Sequence, residues 1–122
     1  MKSGWVTYKG KQIFVARYDH LTVAESRVEI AEVEKVIFSQ PPNSVLMQVE
    51  TTGTILAPEA LGIYKNTTMA CKPYLKKTVV MGMSGPRMPI FEIITTFGGL
   101  RNTVRAFEDK DMEKARDWLI QP

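Results

Sequence analysis

The sequence is poor in the residues that most often build metal, redox and disulfide sites. Among its 122 residues it has one cysteine, Cys71, and one histidine, His20. A single cysteine cannot form an intramolecular disulfide or a CxxC pair, and a single histidine cannot supply a His-rich zinc site. We therefore predict no bound metal and no cofactor, and the cysteine content is compatible with a reducing compartment.

Long apolar segments are also missing. No run approaches the roughly 18 consecutive apolar residues that a membrane-spanning helix requires. No apolar stretch of the signal-peptide type follows the basic residue Lys2. We therefore predict that the protein has no membrane span and is cytoplasmic.

The excess of positive charge is small. The formal net charge is +3, and charged residues make up 24% of the chain. A nucleic-acid-binding domain usually has clustered lysines and arginines with interleaved aromatic residues, whereas the densest cluster here is Lys72, Lys76 and Lys77. We interpret this cluster as the solvated ends of a helix and a strand, and we predict no nucleic-acid partner.

What is present is the composition of one ordinary globular domain. Hydrophobic residues make up 44% of the chain, which is enough to bury one core. A chain of 122 residues leaves no room for a second core. We therefore predict a single domain over residues 1–122.

The chain opens with a strand pattern and then changes to a helix pattern. Residues 5–18 alternate between two faces and are interrupted by Lys9-Gly10, which predicts a β-hairpin. Residues 22–38 have a helical period, with Thr22 and Glu25 spaced as a capping box and Pro41-Pro42 ending the helix. Its apolar stripe is Val23, Ile30, Val33 and Ile37, and the glutamates expected to face solvent are Glu25, Glu29, Glu32 and Glu34.

Strand and helix patterns alternate in the remainder of the chain. Apolar runs at 44–49 and 78–83 predict strands buried on both faces, and 103–107 predicts a last short strand. A helix is predicted from Pro58, a second up to Gly98-Gly99, and a last one capped by Asp109 or Asp111. The expected buried faces are Leu61, Tyr64, Thr68, Cys71 and Leu75, then Ile90, Ile93, Ile94 and Phe97, then Met112, Ala115, Trp118 and Leu119.

This order predicts an α/β fold. After the opening hairpin, strands and helices alternate, which implies right-handed crossovers and a mixed, mostly parallel sheet. The first strand is expected to be an antiparallel edge strand. Four segments also resemble known features of one family, namely residues 8–13, 45–53, 76–85 and 107–119.

In their order and spacing these segments resemble the STAS / SpoIIAA-like family, and more closely its small single-domain STAS/Sec14-like branch. The resemblance implies a sheet with strands in nearly sequential order and helices packed against it. It implies a non-enzymatic regulatory or protein-interaction module similar to the anti-sigma-factor antagonists. The expected partner is another protein or a second copy in a homodimer.

The most specific part of the resemblance is Glu50-Thr51-Thr52-Gly53, which follows an apolar strand. In the family, a hydroxyl just before the glycine is phosphorylated. Carried over, the resemblance makes Thr52 the candidate phosphoacceptor, with Thr51 beside it and Glu50 in the acidic position. The sequence departs from the family pattern because residues 54–57 precede the helix start at Pro58. The alternative interpretation is therefore two threonines in an ordinary polar turn.

A second candidate site lies at the predicted start of the third helix. Ser84, Gly85 and Arg87 there resemble an anion pocket, with the loop after Glu50 expected at the same sheet edge. His20, Asp19, Glu50 and Ser84 all follow strands, but no nucleophile elbow surrounds Ser84. We therefore predict that the protein is not an enzyme.

The methionines and isoleucines of the third helix region admit another function. Sec14-like relatives bind lipids between helix and sheet, so the alternative is a small carrier of an apolar or amphipathic, lipid-like ligand. The candidate pocket residues are Met81, Met83, Met88, Ile90 and Ile94. Ordinary core packing is the competing interpretation. A third helix that is apolar nearly all round also fits a subunit contact.

Overall fold

The computed structural model describes residues 1–54, 57–83, 87–97, 99–100 and 102–122, with the backbone only at positions 90, 93, 94, 96 and 97. The strands are β1 (Gly4–Tyr8), β2 (Lys11–Arg17), β3 (Val45–Glu50), β4 (Leu75–Met81) and β5 (Val104–Phe107). The helices are α1 (Val23–Ile37), α2 (Pro58–Cys71), α3 (Met88–Phe97) and α4 (Met112–Ile120). Short 3-10 turns at Lys72–Tyr74 and Asp109–Asp111 precede β4 and α4.

The opening hairpin is confirmed. Tyr8 pairs with Lys11, so the loop has two residues, and both have a positive φ, 47° at Lys9 and 80° at Gly10. Two positive φ angles define a type I′ turn, whose twist matches that of the flanking strands. Gly10 adopts this conformation at no steric cost, which explains why the turn falls here.

The five strands lie in sequential order, β1-β2-β3-β4-β5. β1 is antiparallel to β2 and lies at the edge, whereas β2 to β5 are parallel to their neighbours. The predicted α/β class with a mixed, mostly parallel sheet is therefore confirmed. In such a sheet the loops after β2, β3, β4 and β5 all lie at one edge, here called the carboxyl edge, and the segments before these strands lie at the amino edge.

Helices cover both faces of the sheet. Phe14 and Ala16 of β2 pack with α1 and the end of α2, whereas Ile13 and Val15 pack with Ala115 and Leu119 of α4. The alternation of a strand places these sets on opposite faces, so β2 is buried on both. Phe91 of α3 and Leu61 of α2 line the same space above the sheet.

The predicted capping box of α1 is confirmed, since the Thr22 and Glu25 side chains each bond the other's backbone N–H. One glutamate of this helix was wrongly placed by the pattern. Glu29 is buried and accepts hydrogen bonds from the Ser3 hydroxyl and from the backbone N–H groups of Lys2 and Ser3. It fixes the N-terminal segment to α1.

The ends of several elements differ from the prediction. β4 begins at Leu75, not at 78, because α2 ends at Cys71 and Lys72–Tyr74 forms a 3-10 turn, so Leu75 belongs to the strand. Asp111 precedes α4 but makes no capping hydrogen bond, because its φ of −101° and ψ of 26° are not the extended backbone of an N-cap. The Met112 side chain is exposed and was wrongly assigned to the buried face.

Candidate functional site

The carboxyl edge brings together several of the predicted site residues. The loop Thr51–Thr54 follows β3, His20 follows β2, and Arg87 precedes α3. The His20 backbone N–H bonds the Thr52 carbonyl at 2.9 Å, and the Thr51 N–H bonds the Met81 carbonyl at 3.1 Å. The predicted convergence of these loops is therefore observed.

The two candidate phosphoacceptors differ in access. Thr51 is buried, and its hydroxyl donates to the Met81 carbonyl at 2.6 Å. Thr52 is half-buried, and its hydroxyl donates to Asp109 Oδ2 at 2.5 Å. In this conformation Thr52 is the one that presents a hydroxyl at the surface.

The loop is packed tightly against its neighbours. Gly82 has a φ of 81°, and a Cβ atom there would overlap Thr52 Oγ1 and lie 2.8 Å from the Thr52 nitrogen. Gly53 has a φ of 71°, and a Cβ atom there would overlap the His20 imidazole. Glycine is required at both positions by backbone conformation and by space.

Arg87 fixes this loop through backbone carbonyls. Its guanidinium donates to the carbonyl oxygens of Thr51 at 3.0 Å, Gly82 at 3.2 Å and Thr54 at 3.3 Å. In this conformation these donors point toward the loop, and the role of Arg87 as an anion ligand stays a prediction. Ser84 and Gly85, the other members of the predicted anion pocket, lie outside the described residues.

The Glu50 side chain is buried on the face of the sheet that α4 covers. Arg116 of α4 donates to Gln48 Oε1 at 2.8 Å, and Gln48 Nε2 donates to Glu50 Oε1 at 2.5 Å. Burial raises the pKa of the Glu50 carboxyl above its ordinary value, against the hydrogen bond from Gln48. Glu50 therefore belongs to a buried polar chain under α4, and its part in an anion pocket with Arg87 stays a prediction.

A cavity of about 330 Å³ lies between α2, α3 and the helix-facing side of the sheet. Of the predicted pocket residues Met83 lines it, whereas Met81 packs on the α4 face with Val79 and Leu119. Met88 does not appear among the described lining residues, and the side chains of Ile90 and Ile94 lie outside the described part. The apolar side chains that line the cavity include Met47, Val49, Leu61, Val80, Phe91 and Leu100.

The exposed part of the described cavity lining, here called its mouth, is at the amino edge. In the described part of the lining, the exposed residues are Asn43, Lys72, Gly99 and Thr103, which precede β3, β4 and β5. Thr51 and Thr54, at the carboxyl edge, are buried. In the described residues, the exposed lining therefore lies at the end of the sheet opposite to the Thr52 loop.

Several hydroxyl and thiol groups belong to residues that line the cavity. Burial raises the pKa of the Cys71 thiol to about 11, so this cysteine is a neutral thiol and a poor nucleophile. The Tyr64 hydroxyl is 2.5 Å from the Ser26 hydroxyl. The Tyr18 and Thr78 hydroxyls are buried and have no hydrogen-bond partner in the described structure.

Other chemistry has less support in the geometry. His20 packs against Gly53, and Ser84 lies outside the described residues. In the ranges that the structure describes, no three His, Cys, Asp or Glu side chains are grouped to hold a metal ion. No helix of the described chain is long and apolar enough to cross a membrane.

The sequence pattern does not identify Tyr18 and Thr78 as polar residues of a cavity. It assigns Tyr18 only to the second arm of the hairpin and Thr78 only to the start of a strand. The sequence signal that could have indicated Thr78 is its position at the start of an apolar run, where a polar side chain faces the helices.

Comparison with protein-family models, with curated proteins and with solved structures finds no match to this chain.

Proposed function

We propose that this protein is a non-enzymatic module that binds a small, largely apolar ligand in the cavity between α2, α3 and the sheet. The observation that carries the proposal is the cavity itself, about 330 Å³ in volume and lined mainly by apolar side chains. This volume is at the lower end of the about 300–1,000 Å³ typical of small-molecule sites. A site between helix and sheet is also what the resemblance to Sec14-like proteins implies.

The exposure of the central strands supports a binding site over ordinary core packing. Val49 and Val80 lie on adjacent central strands and face the helices, yet both remain partly exposed. Full burial of such a side chain contributes about 1.5–3 kcal/mol. A small domain has little apolar surface to leave uncovered, so an apolar ligand over these valines has a direct energetic benefit.

The test compares two neighbouring positions on α2. Thr68 lines the cavity, whereas Met69 is exposed on the same helix and does not belong to the described lining. We expect Thr68→Phe to fill the cavity and abolish binding of a fluorescent apolar probe, and Met69→Phe to leave binding unchanged. Native mass spectrometry of protein from its own host identifies the bound molecule. Equal probe binding by both variants contradicts the proposal.

A second candidate is a regulatory module of the STAS type, switched by phosphorylation of Thr52. Its support is the accessible Thr52 hydroxyl at 2.5 Å from the Asp109 carboxylate, together with the sequential strand order. A phosphate carries about −1.5 to −2 charges, so it would break this bond and repel Asp109. The loop after β3 would then separate from the segment before α4, which alters the surface offered to a protein partner or a second copy.

This second candidate has its own test. Protein exposed to a cognate kinase in its host is examined for added phosphate by mass spectrometry. We expect phosphate on wild-type protein and on Thr51→Ala, and none on Thr52→Ala. Phosphate that is absent from wild-type protein, or that persists in Thr52→Ala, rules out the switch at this residue.

A further inference from the structure

Two buried hydroxyls next to the cavity make no hydrogen bond to the described chain. They belong to Tyr18, which is 2% exposed, and Thr78, which is 6% exposed, and both residues line the cavity. Buried polar groups are almost always hydrogen-bonded, and leaving one unpaired is unfavourable. These two groups therefore have no partner among the described residues and are available to a molecule in the cavity.

The other threonine hydroxyls of the lining are already engaged, which makes the pair distinct. Thr51 donates to the Met81 carbonyl at 2.6 Å, Thr68 to the Tyr64 carbonyl at 2.7 Å, and Thr95 to the Phe91 carbonyl at 3.1 Å. Thr54 donates to the Tyr18 carbonyl. Among the described residues of the lining, the Tyr18 and Thr78 hydroxyls are therefore the ones left for a ligand.

The described lining beside these hydroxyls is almost free of charged side chains, whereas the Glu29 and Glu34 carboxylates act on Tyr18 from outside the lining. The buried residues of the described lining carry no acidic or basic side chain, and Lys72 lies at the exposed mouth. Burial also raises the pKa of the Tyr18 phenol, which keeps it neutral and able both to donate and to accept. Placing an ionised group here without a paired charge is strongly unfavourable.

The volume of the cavity and the aromatic rings in its lining restrict the ligand further. The cavity volume of about 330 Å³ is at the lower end of the about 300–1,000 Å³ typical of small-molecule sites, which favours a compact ligand. The rings of Tyr18 and Tyr64 are 5.2 Å apart, and both residues line the cavity with Phe91.

We infer that the ligand is a small neutral molecule, apolar over most of its surface, with a hydroxyl or carbonyl oxygen that hydrogen-bonds Tyr18 or Thr78. This inference rests on the proposed function and specifies its ligand class. A neutral oxygen is the group that satisfies a buried hydroxyl without bringing charge into the cavity.

The experiment uses three probes with the same ring system: naphthalene, 2-naphthol and 2-naphthoate. Binding is measured at pH 7 by fluorescence on wild-type protein, on Tyr18→Phe, on Thr78→Val and on the double variant. We expect the preference for 2-naphthol over naphthalene to fall about tenfold in the double variant, since a net hydrogen bond corresponds to roughly a 2- to 12-fold change in affinity. Naphthalene binding is expected to stay unchanged, which also controls for folding.

The outcomes separate this inference from the proposed function. If naphthalene and 2-naphthol bind and Thr68→Phe abolishes both, but the preference is the same in all variants, the carrier stands and the ligand inference is wrong. Tighter binding of 2-naphthoate than of 2-naphthol also overturns the inference. If no probe binds and Thr68→Phe changes nothing, the proposed function itself fails.

Discussion

Replacing Thr78 by valine is expected to make the ligand-free protein more stable. Thr78 is 6% exposed, and its hydroxyl has no partner in the described structure. Valine has nearly the same shape and suits a strand equally well. The change removes a polar group whose burial without a hydrogen bond costs about 1–3 kcal/mol. The backbone N–H of Thr78, which bonds the Thr103 carbonyl at 2.8 Å, is not affected.

We expect a gain of about 1–2 kcal/mol in the free energy of unfolding, since part of the desolvation cost is relieved by local relaxation. For a chain of this length, about 4 °C per kcal/mol is reasonable, so the thermal midpoint should rise by about 4–8 °C. Urea denaturation followed by circular dichroism measures the free energy, and calorimetry measures the midpoint. Bound ligand must first be removed, because a ligand on the Thr78 hydroxyl would oppose the gain.

Thr51→Val is the matched control. Thr51 is 7% exposed, almost the same as Thr78, but its hydroxyl donates to the Met81 carbonyl at 2.6 Å. The same substitution there removes a hydrogen bond and should destabilise by about 1 kcal/mol. A gain of stability in Thr78→Val together with a loss in Thr51→Val supports the reasoning. If Thr78→Val destabilises as much as Thr51→Val, the Thr78 hydroxyl has a partner, and the argument for a polar subsite is refuted.

Three further predictions concern the loop and the buried carboxyls. Gly82→Ala should lower the free energy of unfolding, measured by urea denaturation, by more than about 2 kcal/mol, because the site combines a φ of 81° with overlap of Thr52 Oγ1. The control is Gly62→Ala on α2, where a Cβ atom meets nothing within 4 Å, and this change should be neutral or stabilising. At Glu29 burial acts to raise the pKa, but hydrogen bonds from Ser3 and Lys2 outweigh it and hold the pKa below its usual value. The stability that Glu29 contributes is thus present above the unfolded-state pKa of about 4.3 and is lost as the pH falls through the lower folded-state pKa. Glu29→Gln should therefore lower the free energy of unfolding by about 1–2 kcal/mol at pH 7, and this loss should disappear on acidification. The pH dependence expected for Glu50 has the opposite sign, because burial raises its pKa. Wild-type stability should fall as the pH rises from the unfolded-state pKa to the folded-state pKa of Glu50. Over that interval Glu50→Gln should gain stability relative to wild type. If the difference in unfolding free energy between wild type and either glutamine variant does not change with pH, the pKa shift assigned to that glutamate is wrong.

Most of the element order could be predicted from local pattern. The hairpin needs only the alternation of residues 5–18 and a glycine in the turn, and α1 needs only its apolar stripe and the Thr22–Glu25 box. The ends of elements were less accurate where a short 3-10 turn intervened. Leu75 continued the helical stripe of α2 in sequence but lies in β4, because Lys72–Tyr74 turns the chain.

The candidate site was predicted only in part. The convergence of Thr51, Thr52 and Arg87 at the carboxyl edge follows from parallel strands, and it is observed. Met81 was expected in the pocket but packs against α4, because the side of a strand that a residue occupies depends on register and on which helices cover each face. The mouth of the cavity at the amino edge had no counterpart in the pattern.

The order of strands and helices, the hairpin turn and the helix cap are short-range properties of this chain. They depend on backbone sterics and on side-chain spacing within a few residues, and both can be read along the sequence. The cavity, the unpaired hydroxyls of Tyr18 and Thr78, and the buried chain from Arg116 to Glu50 join residues far apart in sequence. They exist because helices of fixed length pack on a twisted sheet and leave space in some places and close contact in others, which is a property of the assembled layers and of no single segment.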